Sequence, residues 1–250
     1  MWAYRELIRN LTVVELKTKY QNTRLGFFWS ILSPLLLALV LYFVFRNLFK
    51  QEEYFALNLL VGIMAWRFFS IGTTLALGAI ISKPSLVTKV YIPRKILVLS
   101  AVLSLLISST LEFIILLPII FILAGDIPVT ALLFPLISVL FFWLIYGAGL
   151  ILASSYVYFR DMNQIWEVVL TIGFFMSPIV YPLSIINPSI LTYYMLNPIT
   201  RFIEMYRGVM IVGRLPSIED LLVVVVSGTL LYLFGSFVFN RLQRRFAEAI

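Results

Sequence analysis

Long apolar blocks separated by short polar breaks set the rhythm of this chain. The blocks run over residues 25–49, 55–82, 96–124, 129–159, 165–183 and 219–239. A bilayer needs about 20 apolar residues per helix, so the pattern predicts six spanning helices. The third and fourth blocks exceed that length, which predicts tilt or extension past the hydrocarbon. Pro34 lies inside the first block, where a membrane helix tolerates it with a kink. Two stretches break the rhythm. In residues 1–22, Tyr4, Leu7, Ile8, Leu11 and Val14 recur at helical spacing while Arg5, Glu6, Arg9, Lys17 and Lys19 fall mostly off that stripe. This predicts an amphipathic helix lying in the headgroup plane. Residues 184–212 carry Pro188, Pro198, the pair Tyr193–Tyr194 and the semi-apolar piece TRFIEMYRGVMIV. A pair of short re-entrant helices between spans five and six fits that composition, provided protein or a cavity covers its irregular backbone.

Composition agrees with the pattern. Hydrophobic residues make up 62% of the 250 and charged residues 12%, whereas a soluble domain is nearer half and a quarter. The fold class is therefore an all-α polytopic membrane protein in one transmembrane domain, residues 1–250. The N-terminus lacks the short apolar core and cleavage site of a secretory signal, so targeting is expected to rest on the first span. Two halves with matched interruptions are not evident, which argues against an inverted-repeat secondary transporter.

Charge then orients the chain. With six spans, thirteen lysines and arginines fall on the side of the two termini, five on the opposite side, and Arg67 inside a block. The positive-inside rule places both termini in the cytoplasm. The net charge of +7 suits loops against anionic lipid at least as well as nucleic acid, and no nucleic-acid partner is expected. Three ionisable residues sit within apolar blocks: Arg67, Glu112 and Glu167. Intramembrane charge marks a pathway or a partner by default, although Arg67 and Glu167 lie close enough to block ends to snorkel. Adjacent antiparallel helices would allow an Arg67–Glu112 pair.

Aromatic residues form 16% of the chain. Phe27, Phe28, Trp29, Tyr42, Trp66, Phe69, Phe174, Tyr181, Tyr193 and Tyr194 read either as interface belts and lipid-facing bulk or as the lining of a passage. Ring faces stack on sugars without holding a fixed charge, which would suit a sliding polymer.

The break SKPSLVTKVYIPRKIL, residues 82–97, has more internal order than a plain turn. Pro84 can open a short helix, Leu86, Val87, Val90 and Tyr91 can share one side of it, and Pro93 disfavours helical geometry at Ile92. A short helix over 84–92 is predicted, with the character of a docking knob.

The chain lacks cysteine and histidine, which removes thiol chemistry and the usual metal ligands and general bases. A phosphate-cradling Gly-Lys-Thr loop is also missing. The chain is not expected to be an enzyme, and it supplies no site for a cofactor or metal.

Four pieces in order, KYQNTRLGFFWSILSPLL (19–36), LVTKVYIPRKILVLS (86–100), YFRDMNQIWEVVLTIGFFMSPIVYP (158–182) and NPITRFIEMYRGVM (197–210), resemble the membrane subunit of ABC-2-type polysaccharide exporters. This is the O-antigen, capsule and teichoic-acid permease family, and the likeness covers essentially the whole chain. It implies a homodimer that docks two copies of a nucleotide-binding ATPase subunit, which holds ATP and Mg. It also implies a channel for a polyprenyl-diphosphate-linked glycan. Carried onto this sequence, the 84–92 helix resembles the coupling helix, with Leu86, Val87, Lys89, Val90, Tyr91 and Arg94 at the ATPase. LGFFW would stand at the entrance, and residues 184–212 would be the outer re-entrant pair. Competing readings are an exporter of this architecture with teichoic acid or a small hydrophobic drug as cargo, an ion channel or secondary transporter, a membrane glycan-processing enzyme, and a purely structural protein. The channel reading would need more polar groups within the spans, and the enzyme a convergent acid/base or metal cluster in a loop.

Overall fold

The computed structural model describes residues 4–21, 26–49 and 54–246. Residues 1–3 and 22 of the expected interface helix, Leu25 at the start of the first span, and the charges Arg24 and Lys50 lie outside them. Among the described residues the chain is helical, without strands. Helix α1 is Arg5–Tyr20, α2 Phe28–Phe45, α3 Phe55–Gly78, α4 Pro84–Lys89 and α5 Lys95–Ala124. The chain continues with α6 Phe134–Tyr158, α7 Met162–Met176, α8 Pro188–Leu196, α9 Pro198–Arg207 and α10 Ile218–Leu242. Among the described residues, five helices are long and apolar enough to cross a membrane: α2, α3, α5, α6 with the turn before it, and α10 with the turn after it.

The fifth expected span takes a different form. Its helix, α7, has 15 residues, about 22 Å at 1.5 Å per residue, which is short of a hydrocarbon core of about 30 Å. Pro178 bars Ser177 from helical geometry, and Ser177 is extended, at φ −97° and ψ 147°. The chain must nevertheless return here, because α6 and α10 run parallel. Trp143 packs on Gly228 and Tyr232, and further along both helices Gly147 packs on Gly235. Helix α7 with the linker after it makes that return antiparallel to α3: Trp166 meets Thr73, Gly173 meets Trp66, and Ile179 meets Gly62. Residues 177–180 of the linker are buried, as non-helical backbone at this depth requires.

Helices α3 and α6 form the centre, also parallel, through Phe68–Phe141, Gly72–Ile145 and Ala76–Gly149. Between them and α9 lies an aromatic column in which Phe141 stacks on Phe202 at 4.1 Å and Tyr206 stacks on Phe113 at 5.2 Å. Such pairs add about 0.5–1.5 kcal/mol each beyond their buried area.

Helices α8 and α9 both open on Asn-Pro. The side chains of Asn187 and Asn197 accept from the amides of Ser189 and Ile199 at 2.9 and 3.0 Å, and each proline takes the first helical position. Phe202 reaches Phe141, two turns inside α6. The segment then comes back to the end it left, with Val209 accepting from the Thr130 hydroxyl at 2.8 Å.

The molecule therefore has two chemically distinct ends. One gathers α1, α4, the α6–α7 turn and the end of α10, held by Lys83–Glu15, Arg94–Gln243 and Tyr158–Leu242 contacts. We refer to it as the basic end. The far end holds the α2–α3 and α5–α6 connections and the α8–α9 hairpin.

Candidate functional site

Helix α4 is capped by proline as predicted but stops at Lys89 rather than Ile92. Val90 is already extended, at φ −123° and ψ 130°, so residues 90–92 leave the helix two residues before the restriction that Pro93 imposes. The apolar group consequently splits. Val87 is 3% exposed and packs with Leu86 against the membrane core, while Val90 is 47% exposed and Tyr91 fully so. Lys89 is exposed, and Lys83 pairs with Glu15 of α1. Arg94 turns inward. Its guanidinium donates to the Gln243 carbonyl and, at 3.4 Å, to that of Val87. The protruding surface is thus Lys89, Val90 and Tyr91, whereas Leu86, Val87 and Arg94 anchor it. Beside Tyr91 lies a cleft formed with Tyr4, Pro93 and Arg244.

The aromatic candidates divide in the same way. Trp66 and Phe69 are core residues, each 7% exposed, with Trp66 edge-on to Phe174 at 6.0 Å. Within one copy they line no passage, because Trp166, Gly173 and Phe174 of α7 and Phe141 of α6 cover them. Phe28, Trp29 and Tyr193 are exposed. Phe27 meets Tyr20 of α1 edge-on at 5.4 Å, and Tyr42 packs on Phe43 and Phe55. Tyr181 and Tyr194 come together at the far end, hydroxyl to hydroxyl at 3.3 Å. The outward face of α7 mixes Val168, Ile172 and Phe175 with Gln164, Glu167 and Thr171, all exposed. Three polar groups on a spanning segment are poorly suited to lipid.

A family model described as ABC-2 type transporter matches residues 6–211. The chain belongs to that family. Among its relatives is an O-antigen export system permease protein RfbA of Myxococcus xanthus, 31% identical over 100% of this chain and 97% of the relative. A protein of the same description from Klebsiella pneumoniae is 27% identical over 98% of this chain and 95% of its own length. The capsule polysaccharide export inner-membrane protein CtrC of Neisseria meningitidis serogroup B is 26% identical, over 92% and 89%. The chain is thus a multi-pass membrane subunit of ABC-2 type, a family whose transport draws on an ATPase partner.

The intramembrane charges of this ABC-2 subunit are arranged differently from the expected Arg67–Glu112 pair. Glu112, 6% exposed, faces Lys19 of α1 at 3.7 Å, with the Ser30 hydroxyl also on its carboxylate. Arg67 acts on it electrostatically without forming an ion pair, and the Arg67 Nε lacks a hydrogen-bond partner among the described residues. The carboxylate therefore ties the surface helix α1 to α5. Glu167 lies near the start of α7, exposed, and accepts from Asn163 at 3.1 Å.

Sequence reasoning missed the polar framework of the far end. Arg201 donates to Asp220 at 2.6 Å, to Glu219 and to the Met195 carbonyl. Burial works against its charge, but the bonds and attraction of Asp220 and Glu219 hold its pKa above the ordinary arginine value. Arg207 donates to the Asn58 and Ile179 carbonyls, both at 3.1 Å, and to Glu204 at 2.8 Å. It fits because Gly62 has no Cβ, which would lie 2.9 Å from its guanidinium. A cleft of about 300 Å³ opens beside it, between Phe55, Tyr181 and Arg214. The available signal was the i, i+3, i+6 spacing of Arg201, Glu204 and Arg207 in an otherwise apolar piece.

Proposed function

We propose that two copies of this chain form the conduit of an ATP-driven exporter that carries a polyprenyl-diphosphate-linked polysaccharide, of O-antigen or capsule type, across the bacterial inner membrane. The reading rests on the end-to-end likeness to the M. xanthus O-antigen permease. Both termini and the 84–94 loop lie in the cytoplasm, where thirteen of the nineteen basic residues gather. Two copies of a separate nucleotide-binding chain hold ATP and Mg and dock on Lys89, Val90 and Tyr91. Closure of that pair pushes on the loops and widens the seam between the permease copies. The α8–α9 hairpin covers the outer mouth. The polar and aromatic face of α7, together with Phe28 and Trp29 at the start of α2, lines the route. These faces meet water or glycan rather than lipid.

The test is co-expression with candidate nucleotide-binding ATPase chains from the same genome, purification of the complex, and assay of hydrolysis with polyprenyl-diphosphate-linked glycan. The expected result is a two-plus-two complex whose hydrolysis the glycan stimulates, and restoration of surface polysaccharide in a strain lacking the gene. A chain that binds no ATPase, or whose deletion leaves surface polysaccharide intact, overturns the reading.

A further inference from the structure

The last described turn of the chain, Gln243–Phe246, grips the same loop that carries Lys89 and Tyr91. Arg94 donates to the Gln243 carbonyl and lies over the Phe246 ring at 6.0 Å from its centre. Tyr158, at the end of α6, donates to the neighbouring Leu242 carbonyl at 2.8 Å and packs on Phe246 at 6.1 Å. Phe246 is wholly buried and also meets Phe239 edge-on at 5.4 Å. Lys95, the residue after Arg94, bonds the Ser236 hydroxyl two turns back on α10. The final carbonyls of a helix lack partners within it and carry the negative end of its dipole. Here a phenol from α6 fills one of those places at Leu242, and a cation from the 84–94 loop joins the Phe246 amide on the Gln243 carbonyl. Helix α10 continues away from this point in backbone contact with α6 at Gly147 and Gly235.

We infer that the C-terminal turn is a force-transmitting clamp. Arg94, Tyr158 and Phe246 are positioning residues that make the 84–94 loop, the end of α6 and α10 move as one body. Displacement of the loop by its partner then reaches the α6–α10 pair directly, rather than only along the chain through α3 and α5. Arg94 also bonds the Val87 carbonyl at 3.4 Å, so a single side chain joins the knob to the helix end. This inference rests on the exporter reading for the identity of the force, while the clamp itself rests on these contacts alone.

The chain lacks cysteine, so an engineered pair supplies its only thiols. Pro93→Cys and Arg244→Cys line the same cleft and are bridged with a short bis-maleimide in the complex with the ATPase, in nanodiscs. Bridging yield is compared between the resting and the vanadate-trapped complex, and ATP hydrolysis and glycan export are measured before and after bridging. Phe246→Ala, Arg94→Gln and Arg94→Lys are assayed alongside for complex yield, hydrolysis and glycan exported per ATP.

The expected results are bridging yields within twofold of each other in the two states, and at least half of export retained after bridging. Phe246→Ala and Arg94→Gln should assemble and hydrolyse ATP but lose at least fivefold in glycan exported per ATP, with Arg94→Lys recovering part of that loss. A merely structural role would lower complex yield and leave the ratio alone. Bridging that halts export while hydrolysis continues, or a Phe246→Ala variant with the wild-type ratio, overturns the clamp. If the unmodified complex moves no glycan, the exporter reading falls instead, and the bridging yields in the two states still decide the clamp. Should either substitution fail to fold, the bridged pair carries the decision.

Discussion

Gly147 and Gly235 bring α6 and α10 into backbone contact: a Cβ on Gly235 would lie 2.3 Å from the Gly147 carbonyl oxygen. One on Gly147 would lie 2.6 Å from the Tyr232 amide nitrogen. Water exclusion does not drive apolar helices together inside a bilayer, so close packing across small residues carries the association. Gly235→Ala is expected to destabilise by about 1–3 kcal/mol through overpacking, read as a lower melting temperature in detergent. Gly78→Ala, where a Cβ meets nothing within 4 Å, is the matched control and should not lower it.

The far end depends on Arg201 in a different way. Its partner Asp220 is buried and also forms the capping box of α10 with Ser217. Arg201→Met leaves that carboxylate buried without its cation, at a cost of about 3–5 kcal/mol. Arg201→Met with Asp220→Leu removes both charges and should recover much of the loss. A double-mutant cycle by thermal unfolding measures the coupling, and additive losses would show that the pair contributes nothing beyond its members.

The docking knob separates binding from folding. Tyr91→Ala and Lys89→Glu change only exposed groups, so melting should stay put while affinity for the ATPase falls by at least about tenfold, as for an aromatic anchor at an interface. Val87→Ala should do the reverse, lowering stability by about 1–3 kcal/mol. Unchanged ATPase affinity in Tyr91→Ala would remove the knob from the interface.

How far the sequence carried these assignments depended on whether local rules decided the outcome. Pro84 and Pro93 bounded the 84–92 region, and the apolar blocks located α2, α3, α5, α6 and α10, because bilayer thickness and proline geometry act over a few residues. What faces what was not legible. Leu86, Val87, Val90 and Tyr91 share an apolar character, yet the helix ends at Lys89 and sends two of them inward and two outward. Trp66 and Phe69 read either as belt or as passage residues and are core instead, because α6 and α7, distant in sequence, close over them. Arg94 looked like a surface cation until the end of α10, about 150 residues later, supplied its carbonyl. Such pairings depend on tertiary neighbours that no spacing rule encodes.

Glu112 offers a test of how α1 is held. Lys19 is partly exposed, so its pair with Glu112 is worth at most about 1 kcal/mol, and Glu112→Gln should barely change melting. It should instead loosen the end of α1, giving faster amide exchange over residues 13–20 in hydrogen-exchange mass spectrometry. Glu112→Lys places a like charge beside Lys19 and Arg67 and should lower stability clearly. Unchanged exchange in Glu112→Gln would mean that apolar packing on α5 holds α1 without the carboxylate.

The route through the membrane can be mapped by thiol chemistry, because exposure to lipid and exposure to water look alike in a single chain but differ in reactivity. A thiol reacts as its thiolate, and a thiolate does not form in hydrocarbon, where an ion is strongly disfavoured. Single cysteines in this cysteine-free chain therefore report water alone. Thr171→Cys and Phe175→Cys on the outward face of α7 should react with a polar maleimide in native membranes, as should Trp29→Cys at the start of α2. Val40→Cys and Val226→Cys are equally exposed on α2 and α10 but carry apolar neighbours, and should stay unreactive. Trp66→Cys and Phe69→Cys should also be silent, since those positions are covered by protein. If Thr171→Cys and Phe175→Cys were as inert as Val226→Cys, the α7 face would be dry, and the glycan would have to pass elsewhere.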